Sequence, residues 1–134
     1  PEMHPYSGLT KAPQFIPAVG PFACGMRVEI PIHAHWLAGE GSGSRVAEAL
    51  ADRYAEEPFV RVHPLQPRGS FHDRSFDPQA CNDTNRIEIH PVSNPSGHVL
   101  LIAILDNLGK GAAGVAIQNL NLMLGCDEEN GLIR

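Results

Sequence analysis

The 134-residue chain has little of what would place it at a membrane or on nucleic acid. No apolar run approaches the roughly 18–20 residues that cross a bilayer, and the first residues do not have the pattern of a signal peptide. Basic residues are few: ten Lys and Arg against fifteen Asp and Glu leave a net charge of −5. A basic nucleic-acid footprint is therefore not expected. Cysteine is scarce too. Cys24, Cys81 and Cys126 are odd in number, far apart and never in C-x-x-C spacing, which argues against a disulfide framework or zinc knuckle and for a reducing, cytoplasmic setting. G-x-S-x-G, H-E-x-x-H and P-loop spacings are all missing.

What is present fits one domain. With 43% apolar residues, a compact chain of this mass would expose about 6,900 Å² against about 21,000 Å² unfolded, burying roughly two-thirds of its surface. The first 25 residues are too rich in proline and glycine for a long helix, leaving room for a short strand at Gln14-Phe15-Ile16. Pro1-Glu2-Met3, without an initiator methionine, reads as a cut from a longer polypeptide. Met26, Val28, Ile30 and Ile32 alternate with polar residues and predict a half-buried strand, with Pro31 ending it or placing it at an edge. After the Gly39–Gly43 loop, Ser44 caps a helix of about 12 residues that stops before Pro58. Phe59–Val62 is a strand, and residues 64–84 are an irregular surface segment. Arg86–His90 alternates with Arg86, Glu88 and His90 on one face. Past the Asn94-Pro95-Ser96-Gly97 turn, the apolar run to Leu105 predicts a central strand in an antiparallel hairpin. A helix from about Lys110 to Leu124 follows, stopped by Gly125. The fold class is α+β, a mostly antiparallel sheet with helices on one face.

Three features could carry chemistry. The Asp106–Gly114 segment joins the central strand to the last helix, and its glycines, helix-start N–H groups and Lys110 could approach a phosphate, although the Gly spacing fits no standard nucleotide motif. Along that helix, Gly111, Gly114, Gln118, Asn121 and Gly125 form a stripe suited to close approach by another backbone or a ligand. The seven histidines include His33 and His35 in H-x-H spacing, but His63, His72, His90 and His98 are scattered, so surface or hydrogen-bonded histidines, and no metal, are expected. Cys24 is the best of three poor nucleophile candidates.

The run from Asp106 to Gly125, D-N-L-G-K-G-A-A-G-V-A-I-Q-N-L-N-L-M-L-G, resembles the terminal motif of the N-acetyl-γ-glutamyl-phosphate reductases at every fixed position. Pro1-Glu2-Met3, Gly20-Pro21-Phe22 with Gly25-Met26, and Asp83-Thr84-Asn85 before Ile87-Glu88-Ile89 are similar to further family segments. The resemblance implies a catalytic and dimerisation domain like the C-terminal domain of glyceraldehyde-3-phosphate dehydrogenase over residues 1–105. Residues 106–134 would be a C-terminal loop and helix packing on an NADP-binding domain. It implies NADP as cofactor, a small acyl-phosphate substrate, the nucleotide-binding segment of the same enzyme as partner, and a homodimer or homotetramer, in arginine biosynthesis. The family's P-G-C nucleophile turn is absent, and its histidine would lie before Pro1, so no catalytic residue is carried over to this chain. Asn107, Gly109, Lys110 and Gly111 are expected near the cofactor, Gly114 and Gln118 as interdomain or cofactor support, and the loop with Gly20 and Cys24 near substrate. Where many relatives carry an arginine near position 24, this chain has Cys24. The competing reading is a stand-alone dimerisation module without catalysis; a histidine-based metal hydrolase is a third.

Overall fold

A computed structural model describes residues 3–37, 42–67 and 76–134. Its elements are α1 (Met3–Ser7), β1 (Met26–Ile32), α2 (Ser42–Arg53), β2 (Val60–Val62), β3 (Gln66–Pro67), β4 (Ile87–Ser93), β5 (Val99–Leu105) and α3 (Gly114–Leu124). Short turns of 3-10 and π geometry cover Ala34–Trp36 and Gly109–Ala113. The fold is α+β around a five-stranded sheet of order β1-β5-β4-β2, with β3 also beside β4.

The longest pairings, β1 with β5 and β4 with β5, are antiparallel, while the short β2 and β3 run parallel to β4. β5 is central because Val99–Leu105 carries no charge that burial would penalise. β1 is an edge strand, which accommodates the donor-less Pro31 opposite Leu100. The β4–β5 turn closes through Asn94, whose backbone and side chain both bond His98.

Register sorts the side chains into two faces. Leu100, Ile102, Ile104 and Val92 share one, packed against Cys81 and Phe76. The segment 76–84, expected at the surface, therefore supplies part of the core: Cys81 is fully buried. Residues 68–75 of the expected irregular segment lie outside the described residues, as does most of the Gly39–Gly43 loop. The opposite face carries Ile89, Pro91 and Ser93, against which α2 rests. The helix begins at Ser42 rather than after Ser44, and residues 14–16 form no strand.

Beyond α2's reach that second face is open. Val28 and Ile30 on β1 lie beside Ala103 and Leu101 and are 38% and 48% exposed. The whole chain exposes 9471 Å², well above the compact expectation of about 6,900 Å². The two-thirds burial expected from mass is not reached: this face, most of α3 and most of the described residues before β1 lack cover. No helix among the described residues is long and apolar enough to cross a membrane.

Candidate functional site

β5 ends at Leu105 and delivers Asp106 to the start of the last helix. An aspartate at the first position of such a turn can accept from the N–H groups that follow it. Here Asp106 Oδ1 accepts from Leu108 N at 2.8 Å and Gly109 N at 3.0 Å, while Oδ2 accepts from Asp83 N at 2.9 Å. Asp83 takes a positive φ of 61°, a conformation aspartate tolerates better than most residues. The N–H donors of Gly109, Asp83 and Leu108 together hold the buried Asp106 carboxyl below its ordinary pKa.

This carboxylate occupies the place an incoming phosphate would need. Gly111 N donates to Asp106 O at 2.8 Å and Ala113 N to Leu108 O at 3.1 Å, so the N–H groups of Leu108, Gly109, Gly111 and Ala113 are taken up from within. Asp106 therefore competes with any incoming phosphate for the N–H groups of Leu108 and Gly109. Beside the turn, Asp83, Thr84, Asp106, Gly109, Gly114 and Leu132 are among the residues lining a cleft of about 390 Å³. A cavity of about 410 Å³ at the other end of β1 is lined chiefly by apolar groups and His33 and His98.

Asn107 joins two segments singled out in the sequence: its Oδ1 accepts from Gly25 N at 2.7 Å. Asn82 Nδ2 donates to Cys24 O at 3.1 Å. Gly25 has φ 113°, and a Cβ there would come within 2.6 Å of Pro78 O, so glycine is required for this junction. Half-buried Cys24 is thus held next to the turn, whereas Gly20 lies under the Phe22 ring.

Lys110 turns inward. Its Nζ donates to Gln118 Oε1 at 2.6 Å and lies 5.5 Å from the Phe59 ring centroid. Burial pushes the ammonium's pKa down, opposed by Glu128 and Glu57. Gln118 also accepts from Asn85 Nδ2 at 2.9 Å and donates to Glu128 Oε1. Gly114 faces the Asn85 amide, and Asn121 donates to the carbonyls of Glu128 and Asn130. The small-and-amide stripe of α3 is therefore largely covered by the chain's own residues. Its apolar side is the bare one: Ile117, Leu120 and Leu124 are 41%, 51% and 68% exposed. The sidedness is the reverse of the sequence reading, while Gly111 and Gly125, at the helix ends, are exposed.

Sequence reasoning quoted Asp106 and Asn85 within motifs but did not assign them a role, whereas Asn121 was placed in the stripe facing a neighbour. The Asp-x-x-Gly turn signal could have found Asp106; nothing local announces Asn85. It also treated the histidines as scattered. The strand does not reach His33, which precedes a 3-10 turn, or His35, which lies within it; their ring centroids are 5.3 Å apart. His63 and His90, by contrast, are stacked with centroids 4.0 Å apart. His90 is neither at the surface nor, among the described residues, hydrogen-bonded. His72 lies outside the described residues.

Of the cysteines, Cys81 has its thiol pKa pushed up by burial and by Glu88, the wrong direction for a nucleophile. Cys126 is exposed just past the helix end.

Residues 1–107 match the family profile described as semialdehyde dehydrogenase, dimerisation domain. The chain is 47% identical to N-acetyl-gamma-glutamyl-phosphate reductase 2 of Nostoc sp., over 98% of its own length and 41% of the relative's. It is 43% identical to the N-acetyl-gamma-glutamyl-phosphate reductase of Burkholderia cenocepacia, over 93% and 40%. It is 38% identical to N-acetyl-gamma-glutamyl-phosphate reductase 2 of Pseudomonas putida, over 98% and 42%. The chain thus spans about two-fifths of the length of these relatives.

Proposed function

The chain belongs to the semialdehyde dehydrogenase dimerisation-domain family, and from that premise we propose that it is part of an N-acetyl-γ-glutamyl-phosphate reductase. The observation carrying this reading is the near end-to-end match to proteins of that name, at up to 47% identity. The reaction is reduction of an acyl phosphate to an aldehyde with loss of phosphate, for which NADP in its reduced form would supply the hydride. The nucleophilic thiol and the histidine that handles protons lie in the remaining three-fifths of such an enzyme. The stand-alone module reading is weaker, because the match runs through the 106–125 motif, beyond the dimerisation profile.

Within this assembly the chain's part is positioning. With the N–H groups of Leu108, Gly109 and Gly111 taken up by Asp106, the Asn107–Gly111 turn would meet the nicotinamide end of the dinucleotide as a shaped edge, not as a phosphate holder. The Gly25–Asn107 bond holds the Cys24 loop beside that edge, where the acyl substrate would enter. The bare side of α3, Ile117, Leu120 and Leu124, would be covered by the nucleotide-binding domain, with Gly114 and Gln118 fixing the helix for that contact.

In the full-length enzyme, Asn107→Ala and Lys110→Ala are each expected to weaken NADPH binding or lower turnover by about tenfold, equivalent to about 1.4 kcal/mol. NADPH titration and steady-state assays check this; affinity and turnover both unchanged would remove the turn from the cofactor site. The open sheet face suits a second copy of the chain, being apolar and continuous across β1 and β5. Val28→Glu is expected to shift the enzyme toward monomer, read by analytical ultracentrifugation; an unaltered assembly would place the subunit contact elsewhere.

A further inference from the structure

On the sheet face away from α2, the parallel pairing of β2 with β4 carries His63 to β4, where His63 N donates to Ile89 O at 2.9 Å. Its ring stacks on that of His90, with centroids 4.0 Å apart and planes 13° apart. Glu88 and His90, two apart on one strand, share that face. His63 Nε2 lies 2.9 Å from Glu88 Oε2, and His90 Nε2 lies 3.6 Å from the same oxygen. One donor atom from each of the three residues can be chosen so that all lie within 4.8 Å of one another. The other carboxylate oxygen, Oε1, faces Arg86 Nε at 3.0 Å. Oε2 is thus the oxygen turned toward both imidazoles.

His90 gives the cluster its meaning. Its side chain is 8% exposed, and neither ring nitrogen has a hydrogen-bond partner among the described residues. Buried polar atoms are almost always satisfied, so an orphaned pair calls for a missing partner. Phe76, edge-on at 5.2 Å, restrains the ring.

We infer that His63, Glu88 and His90 form a binding site for a divalent transition-metal cation of the zinc type. Two imidazole nitrogens and one carboxylate oxygen make a donor set that zinc accepts with a position left open. Hard cations such as Mg²⁺ and Ca²⁺ favour oxygen ligands, and this site offers them a single carboxylate beside two imidazoles. The cation would reach the site from the side of His63 and Glu88, whose side chains are 21% and 13% exposed. This inference does not depend on the reductase reading.

The test is a Zn²⁺ titration of the metal-stripped, full-length protein by calorimetry, with Co²⁺ as a spectroscopic substitute. One Zn²⁺ per chain and a tetrahedral Co²⁺ absorption band are expected. His63→Gln and His90→Gln should each weaken Zn²⁺ binding by at least about tenfold, the scale on which even the outer partners of metal ligands act. His98→Gln, in the separate His33–His35–Trp36 cluster, should leave it unchanged. If His90→Gln does not fold, the more peripheral His63→Gln and Glu88→Gln carry the test. No stoichiometric Zn²⁺ binding, or binding untouched by His63→Gln, would overturn the site and leave a hydrogen-bonded His63–Glu88 pair.

Discussion

Asp106→Asn is expected to destabilise the protein by about 2–4 kcal/mol at neutral pH, a large effect for a near-isosteric change. Hydrogen bonds to a charged acceptor contribute about 1.5–3 kcal/mol, and an orphaned buried donor adds a further penalty. The amide oxygen can keep the bonds from Leu108 and Gly109, but the amide NH₂ must then meet the Asp83 N–H that Oδ2 now accepts at 2.9 Å. Donor would face donor in a buried place. Because Asp83 sits at φ 61°, losing this bond also removes what holds the 83–85 corner against the β5 exit. Urea unfolding of both proteins measures the difference.

The same residue predicts a pH dependence whose sign is fixed. The folded protein holds Asp106 below its ordinary pKa, so the unfolded chain takes up its proton first as the solution is acidified. The stability this carboxylate contributes is complete above about pH 4, the ordinary aspartate range, and is lost as pH falls through the folded value. Wild type and Asp106→Asn should therefore differ most near neutrality and converge in acid. A constant gap down to the acid limit would show that the carboxylate's charge is not what the three N–H groups require.

The strands were legible in the sequence because their side chains obey a period of two against a single core. β5 has no charged side chain, and the Asn94–Gly97 turn leaves β4 little choice but to pair with it. What the sequence concealed is contact at long range. Cys81 sits in a proline-flanked segment that looks like surface, yet it fills the sheet face under Ile102 and Ile104. His63 and His90 are stacked only because β2 runs parallel to β4, a direction no local pattern declares. The polarity of α3 misled for a related reason. A row of glycine and amides suggests a partner from outside, but the turn at Asp83–Asn85 and the tail at Glu128–Asn130 supply those partners from the same chain. The apolar residues left outward on α3 are the better sign of a neighbouring domain.

Gly114→Ala tests how tightly that inner surface is closed. A methyl group at Gly114 would lie 2.2 Å from Asn85 Oδ1 and 2.9 Å from Gly109 O, distances at which something must move. Asn85 cannot yield easily: it is 3% exposed, its N–H donates to Ile133 O at 2.7 Å, and its side chain donates to Gln118. Helix propensity favours alanine by about 1 kcal/mol, but overpacking a closed site typically costs 1–3 kcal/mol, and a broken Asn85–Gln118 bond strands a buried donor at about 1–3 kcal/mol. The expected net loss is about 2–3 kcal/mol, visible as a lowered denaturation midpoint. Pairing it with Asn85→Ala separates the causes: if the clash with Asn85 is the source, the double variant should be no less stable than Asn85→Ala alone. Additive losses would instead place the cost in the π turn at Gly109–Ala113, whose carbonyl the new methyl would also crowd.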